Sequence, residues 1–182
     1  MYSILGISGV ARVGKDTLFT CIKEINKEIN FTRMAFADEL KRESDEFLMK
    51  NVGISAFTED EYEKKIIRPF LVTYGTHVRR KLDKACWIKR IEKTMSSKVQ
   101  SNQCFVITDV RFANEAEWIK LKGGKVIHLS RNGVLPANDD ERINDPILKS
   151  IADFKIKLPT FNENLIGSIK SEICRKEVLQ PI

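Results

Sequence analysis

The N-terminal segment constrains the fold of this chain more than any other part of it. An apolar run, Tyr2 to Ile7, leads into a loop that contains Gly9, Gly14 and Lys15, and a helical pattern follows over residues 15–30. Glycines let backbone N–H groups turn toward an anion, and the helix N-terminus adds a partial positive charge. Lys15 would place a cation against the β- and γ-phosphates. The segment therefore predicts a strand, a phosphate-binding loop (P loop) and a helix that together hold a nucleoside triphosphate.

The residue after the P-loop lysine departs from the usual pattern GxxxxGK[ST]. That pattern places a hydroxyl next to the lysine to bind Mg²⁺, whereas this chain has Asp16 there and Thr17 one residue later. A carboxylate also suits Mg²⁺, which prefers hard oxygen ligands. Asp16 and Thr17 are thus candidate magnesium ligands. The alternative is a glycine-rich turn that only caps a helix, with Asp16 as a first-turn anion.

Composition excludes several classes of protein. The 182 residues predict one domain, 1–182, and the 31 basic against 25 acidic residues give a moderate net charge of +6. The longest basic run is Arg79 to Lys81, too short for a nucleic-acid-binding arm. The four cysteines form no CxxC pair, and no apolar stretch reaches membrane-spanning length. We therefore expect no zinc site, no nucleic-acid partner and no membrane partner, and the cytoplasm as location.

Strand patterns alternate with helix patterns along the chain. Strands are predicted at residues 4–7, 31–36, 104–108, 126–129 and 154–158, and helices at 15–30, 39–50, 66–82, 87–99, 114–122 and 165–175. This alternation predicts an α/β fold, a three-layer P-loop NTPase sandwich with a mostly parallel sheet of about five strands and helices on both faces.

Local signals refine the helix boundaries. Thr58 with Glu61 is a capping-box pattern, Pro69 suits a first helical turn, and Asn114 is the expected cap of a helix. Residues 131–145 are polar and rich in turn formers, which predicts a mobile loop.

A second group of charged residues follows the apolar strand at residues 104–108. Asp109 ends that strand, so its carboxylate is expected at the carboxyl edge of the sheet, where ligands of open α/β folds bind. Asp109 is a candidate for a second acid that binds magnesium, and the planar guanidinium of Arg111 is a candidate for binding a phosphate. Glu115 would lie in the first turn of the next helix. The alternative is a turn with an Asp–Arg ion pair and a helix-favouring glutamate.

The order of four motifs resembles that of deoxynucleoside monophosphate kinases, a commonly virus-encoded group related to the adenylate-kinase type of P-loop kinase. The motifs are GVARVGKDT (9–17), FADELK (36–41), GTHVRRKLDKACWIKRI (75–91) and TDVRFANEAEWIKLKGGKVIHLSR (108–131). The resemblance covers residues 3–131 with firm motifs. It implies a helical acceptor-binding region at 38–98 and a lid loop at 131–146.

The resemblance also implies roles for individual residues. On the ATP side it implies Gly9, Arg12, Gly14, Lys15, Asp16, Thr17 and Arg131. On the acceptor side it implies Leu40, Lys41, Gly75, Thr76, Trp87, Asp109, Arg111 and Glu115. Lys15, Asp109 and Arg111 would be catalytic, and Asp16, Thr17 and Asp109 would hold the metal. Where the family has a basic residue for the acceptor phosphate, this chain has Pro69, so Arg68, Arg79 or Arg80 is expected to take its place.

Three aromatic or imidazole side chains have simpler interpretations. His77, flanked by arginines, is expected to be solvated, and His128, within an apolar strand, is expected to be a hydrogen-bonded core group. Trp87 is either a core residue or a base-stacking residue.

The predicted activity is transfer of the γ-phosphoryl group of ATP to a deoxynucleoside 5′-monophosphate (dNMP), with Mg²⁺ as cofactor. The expected partners are these small molecules, and assembly as a homodimer is left open. One alternative is a kinase of another small acceptor such as dephospho-coenzyme A. The other is a P-loop NTP-binding regulator or ATPase without an acceptor, which the basic run at Arg79 would support.

Overall fold

The computed structural model describes residues 2–158 and 165–179. They belong to two compact units: a sheet unit, residues 1–34 and 97–182, and a helical unit, residues 35–96. In chain order the elements are β1 (Tyr2–Ser8), α1 (Lys15–Ile25), β2 (Asn30–Met34), α2 (Phe36–Val52), α3 (Glu61–Val72), a π-helical segment (Thr73–Arg79), α4 (Arg80–Leu82), α5 (Cys86–Ser96), β3 (Gln103–Val110), α6 (Ala113–Leu121), β4 (Lys125–Arg131), α7 (Asp139–Ile151), β5 (Phe154–Leu158) and α8 (Leu165–Arg175).

The sheet unit has five parallel strands in the order β2-β3-β1-β4-β5. This architecture confirms the predicted α/β fold with a parallel sheet. In the register, Leu5 lies opposite Val106 and Ile7 opposite Ile127. The central strands are apolar almost throughout because helices cover both faces of a parallel sheet. The order also places the ends of β1 and β3 side by side, which brings the P loop next to the segment after Asp109.

Alternate residues of β1 face different helices. Leu5 and Ile7 join the core that contains Leu18 of α1 and Ile169 of α8. Gly6 faces the other side, where a Cβ would lie 2.6 Å from Ile119 Cδ1 of α6. The period of two in a strand therefore explains how one short strand supports helices on both faces.

The helical unit contains α2 to α5 and the π-helical segment. Its buried apolar cluster consists of Leu48, Ala56 and Ile67, with Phe70 and other half-buried side chains packed on it. Pro69 is the ninth residue of α3, well inside the helix, so the expected first-turn placement is wrong. The helix begins earlier than the sequence suggested because Asp60 Oδ1 accepts hydrogen bonds from Tyr62 N and Glu63 N, both at 2.9 Å.

Other boundaries also differ from the sequence expectation. Thr58 and Glu61 do not form the predicted capping box, since the cap is Asp60 and the Thr58 hydroxyl donates to Glu63. The first helix ends at Ile25 rather than near residue 30, because Asn26 is extended and its Oδ1 accepts from Glu28 N at 3.1 Å.

Helix starts in the second half of the chain differ as well. Asn114 is not a cap, because α6 begins at Ala113 after Phe112. The polar segment at 131–145 is a loop only as far as Asn138. There the Asn138 side chain accepts from Glu141 N at 2.9 Å and α7 begins. The predicted mobile loop is therefore wrong for its second half.

Candidate functional site

The P loop owes its path to positive φ angles and to a close approach to β4. Gly9 has a φ of 130°, and a Cβ there would lie 2.3 Å from the backbone oxygen of Leu129. Arg12 and Gly14 have φ angles of 62° and 106°. These conformations curl the loop and let α1 begin at Lys15, so that the first N–H groups of the helix point at the loop. This is the geometry of an anion-binding site.

The Lys15 side chain folds back onto the backbone at the start of the P loop. Its Nζ donates to the backbone oxygens of Gly9 and Val10, each at 2.8 Å. Burial lowers the pKa of Lys15, and the nearby positive charge of Arg111 lowers it further. The carboxylates of Glu141, Asp109 and Asp16 act in the opposite direction on this pKa. The ammonium is thus subject to charges of both signs at this edge.

The two candidate magnesium ligands on α1 have different environments. The Asp16 side chain is 84% exposed, and its Oδ1 lies 3.6 Å from Nε of Arg33. Thr17 is half-buried at the start of the helix. The structure therefore directs Asp16 toward solvent, and Thr17 is the more enclosed of the two candidate ligands.

Arg131 lies beside the P loop. It is the last residue of β4, it is buried, and burial lowers its pKa. Its Nη2 would be 2.9 Å from a Cβ at Gly14, so the guanidinium packs against the loop backbone. Its position in a strand differs from the expected lid loop beginning at residue 131.

The segment after β3 places Arg111 at the same edge. Asp109 is the half-buried penultimate residue of β3, and the Arg111 side chain is 44% exposed. Glu115 is completely buried, and its Oε2 accepts from Arg111 N at 2.8 Å and Phe112 N at 3.1 Å. In this arrangement Glu115 holds the backbone that carries Arg111.

Glu141 is a site residue that the sequence analysis missed. Its two carboxylate oxygens each lie 3.2 Å from the backbone N–H nitrogen of Ala11 in the P loop. Oε1 also accepts from Arg111 Nη1 at 3.2 Å, and Oε2 accepts from Ala137 N at 2.9 Å. The spacing of Asn138 and Glu141, an N-cap residue followed three positions later by glutamate, is the signal that could have predicted this helix start.

The two histidines are placed as the sequence suggested. His77 is exposed. His128 is buried in β4, and its Nε2 lies 3.0 Å from Asp145 Oδ1 of α7. Burial lowers the pKa of His128, while Asp145 partly opposes that shift.

In the helical unit the structure brings together four of the predicted acceptor residues. A Cβ at Gly75 would lie 2.6 Å from Leu40 Cδ2, and the Trp87 indole N–H donates to the Gly75 oxygen at 3.2 Å. The Arg79 guanidinium lies 5.8 Å from the centroid of the Trp87 ring. The Trp87 ring itself is buried. Gly75 is thus required where a leucine and a tryptophan meet the π-helical backbone.

Glu43 binds the charged side chains around this cluster. The sequence analysis did not identify it. Its carboxylate accepts from the Tyr74 hydroxyl at 2.6 Å, lies 2.7 Å from Arg79 Nε and pairs with Arg90 of α5. The hydrogen bond to Glu43 raises the pKa of Tyr74. No local sequence pattern links Glu43 to arginines more than thirty residues away.

The remaining predicted acceptor residues lie elsewhere on the helical unit. Arg68 is exposed on α3, and Thr76 and Arg80 are half-buried at the π-helical segment and the start of α4. The Lys41 ammonium lies 5.4 Å from the centroid of the Phe57 ring.

Residues 2–158 and 165–179 lack both a ready-made metal cluster and a membrane-spanning helix. Within these residues no group of three or more His, Cys, Asp or Glu side chains could hold a metal ion. Among the helices formed by the same residues, none is long and apolar enough to cross a membrane.

A family model and a viral relative match most of this chain. The family model for deoxynucleotide monophosphate kinase matches residues 33–171, more than half of the chain. A protein of Acanthamoeba polyphaga mimivirus named "Putative deoxynucleotide monophosphate kinase" is 29% identical over 187 residues, covering 93% of each chain.

Solved structures show the fold. Dephospho-CoA kinase from Campylobacter jejuni has a TM-score of 0.58 at 16% identity, covering 99% of this chain and 98% of that chain. TT1252 from Thermus thermophilus has a TM-score of 0.52 at 11% identity, covering 98% and 97%. The P loop, the parallel sheet and the family match lead to one conclusion: the chain is a P-loop kinase that belongs to the deoxynucleotide monophosphate kinase family.

Proposed function

We propose that this kinase transfers the γ-phosphoryl group of ATP to the phosphate of a deoxynucleoside 5′-monophosphate. The observation that carries the proposal is the position of Arg111. Through Glu141, its guanidinium is joined to Ala11 of the P loop. A guanidinium beside a triphosphate-binding loop suits an acceptor that is itself a phosphate, because two polyanions can approach only when cations shield them.

The reaction needs little acid–base chemistry from the protein. An oxygen of the acceptor phosphate, already anionic, forms a bond to the γ-phosphorus. The bond from that phosphorus to the β,γ-bridging oxygen breaks, and ADP leaves with the electron pair. Positioning and charge neutralisation therefore carry the catalysis. We assign the charge neutralisation to Lys15 and Arg111, and the binding of the ATP phosphates to the loop residues Gly9, Arg12 and Gly14 and to Arg131.

Mg²⁺ fits the oxygen donors of this edge. Thr17 and Asp109 would hold it, together with the phosphates of the nucleotide, since magnesium is usually bound by one or two protein oxygens plus phosphates and water. A site of this type needs no protein cluster of three acidic or imidazole side chains. When bound, the ion would neutralise charge on the β- and γ-phosphates.

The helical unit supplies its own set of candidates for binding the deoxynucleotide. We propose that Leu40, Gly75, Arg79 and Trp87 contribute to deoxynucleotide binding, with Glu43 holding the Arg79 guanidinium in place. Lys41, Arg68 and Thr76 stay secondary candidates from the sequence. Asp109 and Glu115 would act near the acceptor phosphate, Glu115 by fixing the backbone of Arg111.

A coupled assay for ADP tests the activity directly. Purified protein is incubated with ATP, Mg²⁺ and one deoxynucleoside monophosphate at a time, with dephospho-coenzyme A and single-stranded DNA as alternative additions. We expect ADP formation that depends on at least one of the monophosphates. ADP formation only with dephospho-coenzyme A, or only with DNA, would contradict the proposal.

Arg111→Lys tests the assignment of Arg111 to the acceptor. Lysine keeps the charge but loses the planar pair of donors, so we expect a higher KM for the monophosphate and a lower kcat, with little change in the KM for ATP. Steady-state kinetics with each substrate varied in turn measure this split. A loss confined to the KM for ATP would place Arg111 on the donor side.

A further inference from the structure

One carboxylate joins three segments that lie far apart in the sequence. Glu141 accepts from Ala11 N in the P loop, from Arg111 Nη1 in the segment after β3 and from Ala137 N just before α7. Ala11 is 130 residues away from Glu141, and Arg111 is 30 residues away. The Glu141 carboxylate therefore connects the P loop with Arg111 directly.

The environment of Glu141 is that of a fixed anion. Its side chain is 8% exposed, so a lost partner would leave a nearly buried charge unsatisfied. It lies in the first turn of α7, where the helix N-terminus favours negative charge, and Asn138 caps that turn. Neighbouring Asp139 and Asp140 are exposed in the same turn. Glu141 is the acid of this turn that faces the P loop.

We propose that Glu141 is a positioning residue of the kinase site, which holds the Arg111 guanidinium against the P loop so that Arg111 meets the acceptor phosphate beside the bound ATP. The inference rests on the proposed function, because it assigns a purpose to Arg111 in phosphoryl transfer. Glu141 itself touches neither substrate in this scheme.

Glu141 contacts the P loop at Ala11. The N–H groups that a helix leaves unpaired belong to the residues from Lys15 onward, so the start of α1 can bind a phosphate while Glu141 holds Ala11. Its negative charge also opposes the effect of Arg111 on Lys15, since Arg111 lowers the pKa of Lys15 and Glu141 raises it. Glu141 therefore offsets part of the repulsion between the two cations at this edge.

A double-mutant cycle tests the proposal. Glu141→Gln removes the charge at nearly constant volume, and we expect kcat/KM for the monophosphate to fall about tenfold or more while ATP binding changes less than about twofold. In an Arg111→Ala background, the same substitution should lower kcat/KM less than about twofold, because Glu141 acts through Arg111. Asp140→Asn is the matched control, since it removes a charge from the same helical turn without touching the P loop.

Two outcomes would overturn the proposal. If the effects of Glu141→Gln and Arg111→Ala were additive, Glu141 would act independently of Arg111. If the Glu141→Gln variant bound ATP more tightly and had a higher kcat than wild type, Glu141 would compete with the ATP phosphates for the P loop. Should Glu141→Gln not fold, Glu141→Asp, which keeps the charge but shortens the side chain, takes its place in the cycle.

NMR gives a readout that does not depend on activity. We expect Glu141→Gln to shift the Ala11 amide signal and the Arg111 Nε–H signal of the nucleotide-free protein, and Asp140→Asn to leave both in place. Unchanged signals in Glu141→Gln would refute the positioning role whatever the kinetics. A wild type without monophosphate-dependent ADP formation would refute the proposed function, and the NMR comparison would still decide whether Glu141 holds Arg111.

Discussion

Lys15 is an ammonium held among charges of both signs. It donates to two loop carbonyls at 2.8 Å, and burial together with Arg111 lowers its pKa. A bound triphosphate would supply the negative charge that this partly desolvated cation requires. We therefore propose an electrostatic role for Lys15 in the transfer.

Replacing Lys15 with alanine should nearly abolish phosphoryl transfer. The loss of one donor to the transferring group raises the barrier by about 3 kcal/mol, roughly 100-fold in kcat. Lys23→Ala, on the exposed side of the same helix, is the control and should keep wild-type turnover. Thermal unfolding should show that both variants fold. A Lys15→Ala enzyme with near-normal kcat would refute the assignment of this loop to ATP.

The exposure of Asp16 and Thr17 predicts which of them supports magnesium. Because Asp16 is 84% exposed and paired with Arg33, Asp16→Ser should keep most of the activity. Thr17→Val removes the more enclosed oxygen at nearly the same volume, so it should raise the Mg²⁺ concentration needed for half-maximal activity by about fivefold or more. Magnesium titrations at saturating ATP measure both variants. A larger effect of Asp16→Ser would reverse the assignment.

At the scale of elements, the turn from β1 into α1 depends on a glycine. Gly9 combines a φ of 130° with an approach to the Leu129 oxygen that leaves no room for a Cβ. The loop can pass over β4 only with this residue at that point. The backbone conformation of Gly9, and not a side-chain contact, therefore sets the position of the P loop on the sheet.

Gly9→Ala should displace the loop. We expect a lower melting temperature and a loss of ATP binding of about tenfold or more, because a left-handed φ and a backbone clash act together. Gly133→Ala is the control, since Gly133 has a φ of 78° but no atom within 4 Å of its ideal Cβ. Calorimetry and nucleotide titration compare the two variants. Equal ATP affinity in both would show that the contact with Leu129 is dispensable.

The π-helical segment carries two residues of the cluster around Trp87. Thr73–Arg79 follows α3, which contains Pro69, and it places both Gly75 and Arg79 in the cluster around Trp87. Extra backbone width of this kind is frequent at functional sites. Two of the proposed acceptor residues, Gly75 and Arg79, thus lie on an irregular helix rather than on a loop.

At the scale of the whole molecule, the stability of the sheet unit should depend on pH through His128. Its pKa in the folded protein is lowered by burial, so the unfolded chain binds more protons below about pH 6.5. The stability that neutral His128 provides is therefore present above that pH and is lost as pH falls. Asp145, whose Oδ1 accepts from His128 Nε2 at 3.0 Å, partly opposes the lowering of this pKa and so limits the loss.

The free energy of unfolding should accordingly fall between pH 7.5 and pH 5.5, and His128→Gln should weaken that dependence. Denaturant unfolding at several pH values measures both proteins. His77→Gln is the control, because His77 is exposed. The prediction fails if wild type and His128→Gln lose stability in parallel as the pH is lowered.

Local patterns in the sequence determined the parts of this protein whose structure is local. The strand–glycine–helix order at residues 2–25 predicted the P loop, and the apolar run before Asp109 predicted a central strand, because hydrophobic periodicity and glycine placement act over a few residues. The order of four motifs was enough to indicate the family. Several helix boundaries were missed where a cap such as Asp60 or Asn138 decided the start.

Tertiary structure decided which charges meet. Glu141 reaches Ala11 across 130 residues, and Glu43 gathers Tyr74, Arg79 and Arg90 from other helices. Neither glutamate stands out in the sequence, where 25 acidic residues are distributed along the chain. A charge acquires its role from burial and from partners brought by chain packing, and periodicity along the sequence carries no information about partners that distant.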